Sequence, residues 1–397
     1  VDNLRIISAE MSLGLKATMS REVGRLATRR IYLFSMVLVP VLMTLFFVYL
    51  LAPGLPLRIP SAVVDLDHSP MSRTITRSLN ATELIDITQK LESYDEALEA
   101  TRKGDIFGFF VIPANFQSDA LAGRTPTLEY FTNMTYFVPG TLAYKGFKTI
   151  AVGTTGSMVR TTLVDAGVDP SLVGSLIQPI AIDSHPIGNP WTNYSYYLSP
   201  SFIAGVFALM IMLVTTFSIA TEIKYGTSPQ WLSTAKNRIS VALAGKLIPQ
   251  FVVWTVSAMF MLAMLYGYRH FPMNGSMWAL VAATLLFIVG CQAMGVLFVS
   301  IVPNPRLSMT LAALFGILSF SFVGFSFPVQ SMYGAVAIFS WLMPVRYYFL
   351  IYINEALNGI PLYYSRWYYV ALILFPFVCS ALVGRLKKAC LKPVYVP

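Results

Sequence analysis

Between two long uncharged apolar runs, Leu198–Thr221 and Leu247–Tyr268, lies the stretch Glu222–Arg238, EIKYGTSPQWLSTAKNR. Its reading decides the fold, because a short polar and basic interruption between segments that each approach the roughly 20 residues needed to cross about 30 Å of hydrocarbon is a loop between two membrane spans. Thr227 or Ser228 can cap a helix whose first residue is Pro229, where the missing N–H costs nothing, so a helix of one to two turns is expected inside the loop. Trp231 and Leu232 would then project from it as apolar knobs. Such knobs in a polar loop need a groove to fill, which points to a soluble partner protein beside the membrane.

Working outward, the remaining uncharged stretches of comparable length are Ile31–Leu51, Ser276–Val302, a run starting at Leu307, and the shorter Trp367–Gly384. The 397-residue chain is 56% hydrophobic and only 12% charged, so an integral membrane protein is expected rather than a soluble one. The first 30 residues carry charge and lack an apolar core followed by a small-residue cleavage site, so the first span is expected to act as a start-transfer anchor. Residues 4–26 space Leu4, Ile7, Met11, Leu15, Met19, Val23 and Leu26 three or four apart. That is an amphipathic helix, lying flat on the inner leaflet or packed on the loops.

Basic residues give the orientation. Six Lys and Arg in residues 1–30, four in 222–246, Arg306 and four after Gly384 fall on one side, against Arg269, Arg346 and Arg366 in the short loops opposite. Positive charge stays in the cytoplasm, which puts both termini and the 222–238 loop there and Arg58–Asn193 outside. The net charge of +9 thus reflects topology. It does not signal nucleic acid, since the external segment holds ten basic and fourteen acidic residues with no basic stripe.

The external segment, 54–197, is long enough to bury its own core. Cys291, Cys379 and Cys390 all fall in spans or at the cytoplasmic end, so it has no disulfide to hold it. Ser61–Leu66 is strand-like, Asp67-His68-Ser69-Pro70 opens a capped helix, and Tyr94–Lys103 is helical, ending at Gly104. Ile106–Ile112 and Thr127–Phe131 are further strands, and Thr141–Ala166 is a long helix. The order β-α-α-β-α-β reads as a mixed α/β domain. The uncharged run Leu307–Val345 is too long for one span, yet two spans would send Arg385, Lys387, Lys388 and Lys392 outside. One span followed by a re-entrant segment at about 327–345, broken at Gly324 and Pro328, keeps them in.

The expected architecture is therefore an α-helical polytopic membrane protein, with six transmembrane helices and an inserted extracytoplasmic α/β domain. Its parts are a cytoplasmic helix 1–30, a first span within 31–53, the domain at 54–197, spans two to six within 198–389 and a cytoplasmic tail 390–397.

Three groups of residues carry a family resemblance. Glu222, Gly226, Thr227 and Gln230 fall in register with the E-R-E-x-G-T-x-x-Q-L pattern of the first cytoplasmic loop of ABC-2-type transporter permeases, with Ile223 and Lys224 departing from it. Gly324, Pro328 and Met332 match the G-x-x-x-P-x-x-x-M element after the fifth span, and Pro344 and Gly359 a further spacing. Ile353 and Asn354 stand where the family often has Arg. V-D-L-D-H-S at 64–69, F-V-I-P-A-N-F at 110–116 and L-A-G-R-T-P at 121–126 resemble the external domain of the subgroup with a large insertion.

The resemblance implies a permease subunit in a bacterial inner membrane, built as a homodimer or with a paralogous permease. Glu222, Gly226, Thr227, Pro229, Gln230, Trp231 and Leu232 would couple it to two copies of an ABC ATPase subunit. The chain has no G-x-x-x-x-G-K-[ST], and Gly245-Lys246 lacks both the upstream Gly and the following hydroxyl, so ATP and Mg are expected on the partner and no cofactor on this chain. Family membership and the external domain imply export of a small amphipathic molecule or drug. Members of this subgroup often work with a periplasmic adaptor and an outer-membrane channel.

Competing readings remain at this point. A permease for lipid-linked or polysaccharide export fits the same residues. A membrane-anchored receptor or scaffold would need one span, not six. An ion-driven transporter should carry carboxylates within its spans, and none falls inside the runs assigned. His68, His185 and His270 are scattered, so no metal site is expected, and Asp65 and Asp67 read as turn and capping groups. Gln292 should face protein, as a pathway residue or a helix–helix hydrogen bond, with the second weighted more heavily. Glu355 is the last acid in the chain, read as an exit-site residue or, more plainly, as a solvated carboxylate next to Arg346.

Overall fold

The computed structural model describes residues 2–178 and 185–394, with side chains from Glu10 onward. Residues 179–184, within the expected external domain, and 395–397 of the expected tail lie outside it. The chain divides into two compact units, Val1–Gly54 with Pro186–Pro397, and Leu55–His185.

Among the described residues of the first unit, six helices are long and apolar enough to cross a membrane: Arg30–Leu50, Tyr194–Lys224, Ile239–Tyr268, Met277–Ile301, Pro305–Phe322 and Leu362–Leu391. Six is the expected count, or seven if the bent pair described next crosses as one span, but the helices outrun the uncharged stretches. The second continues through Glu222 and the third starts before Lys246, because the polar groups at these ends find partners inside the protein. The statement that no carboxylate lies in a span is corrected accordingly: Glu222 belongs to the second helix.

Between the fifth and sixth spans Gly334–Trp341 and Pro344–Asn358 form a helix pair bent by 84°. The break expected at Gly324 and Pro328 is there, with Gly324 at φ +108°. The bent segment, however, begins later and runs further than the expected 327–345, since Pro344 starts a second helix instead of ending the element.

The spans pack through small residues and aromatic rings. A Cβ at Gly295 in the fourth span would sit 2.8 Å from the Thr215 side chain and 3.0 Å from the Met212 carbonyl of the second, so only glycine permits this approach. The hydroxyl of Thr216 donates to the Gly295 carbonyl at 3.2 Å.

The second unit holds a four-stranded sheet in the order β2-β1-β3-β4. β1 (Ile59–Asp65) lies parallel to β2 (Ile85–Leu91) and β3 (Gly108–Ile112), and β4 (Glu129–Thr132) runs antiparallel to β3. β2 was not anticipated. Its alternation of Ile85, Ile87 and Leu91 with polar residues is a period-2 signal in a segment whose ends carry no Gly or Pro. Successive residues of β1 face opposite sides: Val63 packs with Ile75 and Leu79 of helix Pro70–Asn80, while Ala62 and Val64 pack with Ala97 and Ala100 of helix Tyr94–Lys103. Ser69 caps the first helix by accepting from the Ser72 N–H, and Ser93 caps the second by accepting from Glu96.

Candidate coupling site

The second span ends at Lys224, and the chain turns through Tyr225 and Gly226, whose φ of +67° is the left-handed conformation that glycine adopts without strain. The short helix follows at Ser228–Thr234 with Pro229 in its first turn. Lys236 and Asn237, both at positive φ, then reverse the chain into the third span.

This helix differs from expectation in two respects. Trp231 and Leu232 are fully buried, packed with Ile219, Ile223, Val241, Val299 and Leu386. They are not projecting knobs, because the ends of the second, third, fourth and sixth spans already form the groove they fill. The outward face is instead polar, presenting Gly226, Gln230, Ser233, Lys236 and Asn237 together with Tyr225. The second correction concerns capping. Thr227 holds the N-cap position but makes no side-chain cap, and its hydroxyl donates to the Glu222 carboxylate. Ser228 donates to the Cys390 carbonyl at 2.8 Å, tying the helix to the end of the sixth span. A buried carboxylate competes for a nearby hydroxyl more strongly than a helix terminus does.

Beneath the helix lies a constellation that the sequence reading did not assemble. Glu222, fully buried, receives two parallel 2.9 Å hydrogen bonds from Arg21 and a further bond from Arg25. Lys246, 1% exposed, donates at 3.1 Å to Glu222, at 2.9 Å to Glu22 and at 3.1 Å to the Ser218 carbonyl. Gln250 donates to the other oxygen of Glu22 at 2.8 Å, and the Lys246 ammonium lies 5.1 Å from the Trp231 ring centre. Three cations thus surround two carboxylates. Burying these charges is tolerable only because each is paired and hydrogen-bonded.

The N-terminal helix, Asp2–Thr28, supplies Arg21, Glu22 and Arg25, so it packs on the chain's own helices. A Cβ at Gly245 would fall 2.5 Å from the Thr18 Cβ, which makes glycine the residue that lets this helix approach the third span. One signal could have disclosed the cluster: Lys246 stands alone in an apolar run, and Glu22 is an acid between two arginines on a basic helix. A charge that cannot reach water implies an opposite charge facing it.

The other candidate residues lie elsewhere in the membrane unit. Gln292, 3% exposed, donates to the Leu247 carbonyl at 3.1 Å, a helix–helix contact. Gly324 sits against Val329 and the Arg346 guanidinium, which donates to the Val323 carbonyl at 3.1 Å. Pro328 opens the turn Val329–Ser331. Glu355 is 2% exposed and makes no ion pair with Arg346, which corrects the picture of a solvated carboxylate beside that arginine. The bent pair folds it inward against Gly275.

A family model described as ABC-2 family transporter protein covers residues 30–385. The chain is 24% identical over 160 residues to the protein of Escherichia coli (strain K12) named probable multidrug ABC transporter permease YbhR, over 40% of this chain and 43% of that one. It is 24% identical over 161 residues to probable multidrug ABC transporter permease YbhS of the same strain, over 40% and 42%. The matched region spans less than half the length of each relative. The family match takes in most of the chain, five of these helices whole and most of the sixth: this is a member of the ABC-2 transporter family, an integral membrane permease subunit.

Proposed function

We propose that this chain is the membrane half of an ATP-driven exporter that moves a small amphipathic molecule or drug outward across a bacterial inner membrane. Two copies, or this chain and a paralogue, form the pathway. A separately encoded ABC ATPase pair carrying ATP and Mg seats against the polar face around Gln230. A periplasmic adaptor and an outer-membrane channel complete the route. Both termini and the 222–238 loop lie in the cytoplasm and the α/β unit lies outside, in keeping with the distribution of Lys and Arg.

The observation that carries this reading is the burial of Trp231 and Leu232 over the Glu222–Lys246 cluster. A loop helix with loose knobs could move without consequence. One whose apolar side is packed into four span ends, and whose base is tied by charge to the N-terminal helix, transmits any displacement to all of them. ATP-driven closure of the ATPase pair pushes on Gln230 and its neighbours. The second and third spans then tilt as a unit with the N-terminal helix, and the pathway changes the side to which it opens. Glu222, Gly226, Thr227, Pro229, Trp231 and Leu232 hold the lever in place, and Gln230 is the contact.

The test is to reconstitute the chain with its ATPase subunit and measure substrate-stimulated ATP hydrolysis and vesicle uptake together. The reading expects amphipathic molecules to stimulate hydrolysis and Gln230→Arg to remove the stimulation while the protein stays folded. Transport driven by an ion gradient, with no ATPase subunit present, would overturn it.

A further inference from the structure

Glu355 presents a problem that the coupling site does not solve. Its carboxylate is 2% exposed, forms no ion pair and accepts no hydrogen bond among the described residues, and Oε1 is sealed without a partner. Several donors of the surrounding elements bond elsewhere. Arg346 donates to the Val323 carbonyl at 3.1 Å and lies 5.4 Å from the Trp341 ring centre. The Tyr369 hydroxyl donates to Ala279 at 2.9 Å, Asn354 to the Ser365 hydroxyl at 3.1 Å and Asn274 to Leu357 at 2.7 Å. An unpaired buried carboxylate costs several kcal/mol, roughly, so in a membrane protein one that persists marks a functional site.

Glu355 also lines a cavity of about 560 Å³ between the start of the fourth span and the end of the bent pair. Apart from Glu355, its walls are mainly apolar: Trp278, Ala279, Ile360, Pro361 and Leu362. Ser276 caps the fourth span here, and a Cβ at Gly275 would be 3.1 Å from Glu355 Oε2. The amino-terminal end of that helix therefore lies beside the carboxylate without occupying it. A hard metal ion would want six or more oxygens, or near-octahedral geometry, which one carboxylate cannot supply. An organic cation asks for what is present: one negative charge, an indole face and room for hydrocarbon.

We propose that this cavity binds the cationic head of an amphipathic molecule, with Glu355 as the counter-charge and Trp278 as the aromatic wall. The inference deepens the exporter reading and rests on it for the identity of the ligand as cargo. Trp278 and the buried Val299 of the Trp231 cluster sit near opposite ends of one helix, about 30 Å apart at the usual rise per residue. Cation recognition and coupling are thus separated by most of a bilayer.

The experiment is equilibrium binding of tetraphenylphosphonium to the full chain in lipid nanodiscs, with empty nanodiscs subtracted and neutral triphenylphosphine oxide as control. Wild type should bind the cation saturably. Glu355→Gln should weaken binding about tenfold or more, the order expected for losing a charged contact away from water. Trp278→Leu should weaken it about threefold, as for an exposed cation–π contact. Neither change should alter uptake of the neutral control. Absence of saturable binding by wild type, or wild-type affinity in a folded Glu355→Gln protein, overturns the proposal. If Glu355→Gln does not fold, Trp278→Leu decides, because that side chain is 81% exposed and supports no packing; unchanged affinity there is the contrary result. The assay contains no ATPase, so its failure leaves ATP-driven export standing, and failure of export leaves cation binding standing.

Discussion

Glu222 and Arg21, 201 residues apart in sequence, face each other through two parallel 2.9 Å hydrogen bonds. This fork joins the N-terminal helix to the last turn of the second span. It fixes the base of the short helix that follows.

The members of this cluster should not be equivalent. Glu222→Gln leaves Arg21, Arg25 and Lys246 around a neutral group and should destabilise the protein by about 3–5 kcal/mol, as breaking a buried pair does. Arg21→Met leaves Arg25, Lys246 and Thr227 on the carboxylate and should cost about 1–2 kcal/mol. Denaturant unfolding of the purified variants checks the order; equal losses would contradict it.

Two neighbours on the short helix separate fold from coupling. Trp231→Ala removes a fully buried indole and should cost about 3–5 kcal/mol. Gln230→Arg, on the exposed face, should change stability by less than about 0.5 kcal/mol while abolishing stimulation of the ATPase. Unfolding and hydrolysis measured on the same preparations give both answers.

A pair of glycines tests the seat of the N-terminal helix. Gly245→Ala places a methyl group 2.5 Å from the Thr18 Cβ and should cost about 1–3 kcal/mol through overpacking. Gly24→Ala meets nothing within 4 Å and should stabilise by up to about 1 kcal/mol by improving helix propensity. Thermal unfolding should move in opposite directions for the two.

Gln292 should prove structural. Gln292→Leu keeps the volume and loses one hydrogen bond to the Leu247 carbonyl, for a cost of about 0.5–1.5 kcal/mol. Transport by the reconstituted variant should stay near wild type; a selective loss of transport with stability intact would instead put Gln292 in the pathway.

Much of the membrane unit could be read from the sequence because the bilayer imposes a length on every apolar run. Glu222–Arg238 announced its helix through Pro229, and Gly324 announced the break before the bent pair. What escaped depended on residues far apart in the chain. Whether Trp231 points at a partner or into its own fold is decided by Val299 and Leu386, which no local pattern connects to it. Nor does spacing reveal that Lys246 faces Glu22 and Glu222. β2 was missed for a local reason, since a half-buried alternation with polar residues is a weak signal in a segment without turn residues at its ends. Glu355 looked solvated because Arg346 is near it in sequence, but the bent pair turns the two side chains to different partners.

The central claim is that the outward face of Ser228–Thr234 receives the ATPase. Site-directed photo-cross-linking in membranes holding the assembled complex tests it most directly, with the reactive group placed at Gln230 or, as control, at Trp278 near the far end of the fourth span. A covalent adduct with the ATPase subunit from position 230 and none from 278 is the result expected. An adduct from 278 and none from 230 would contradict it.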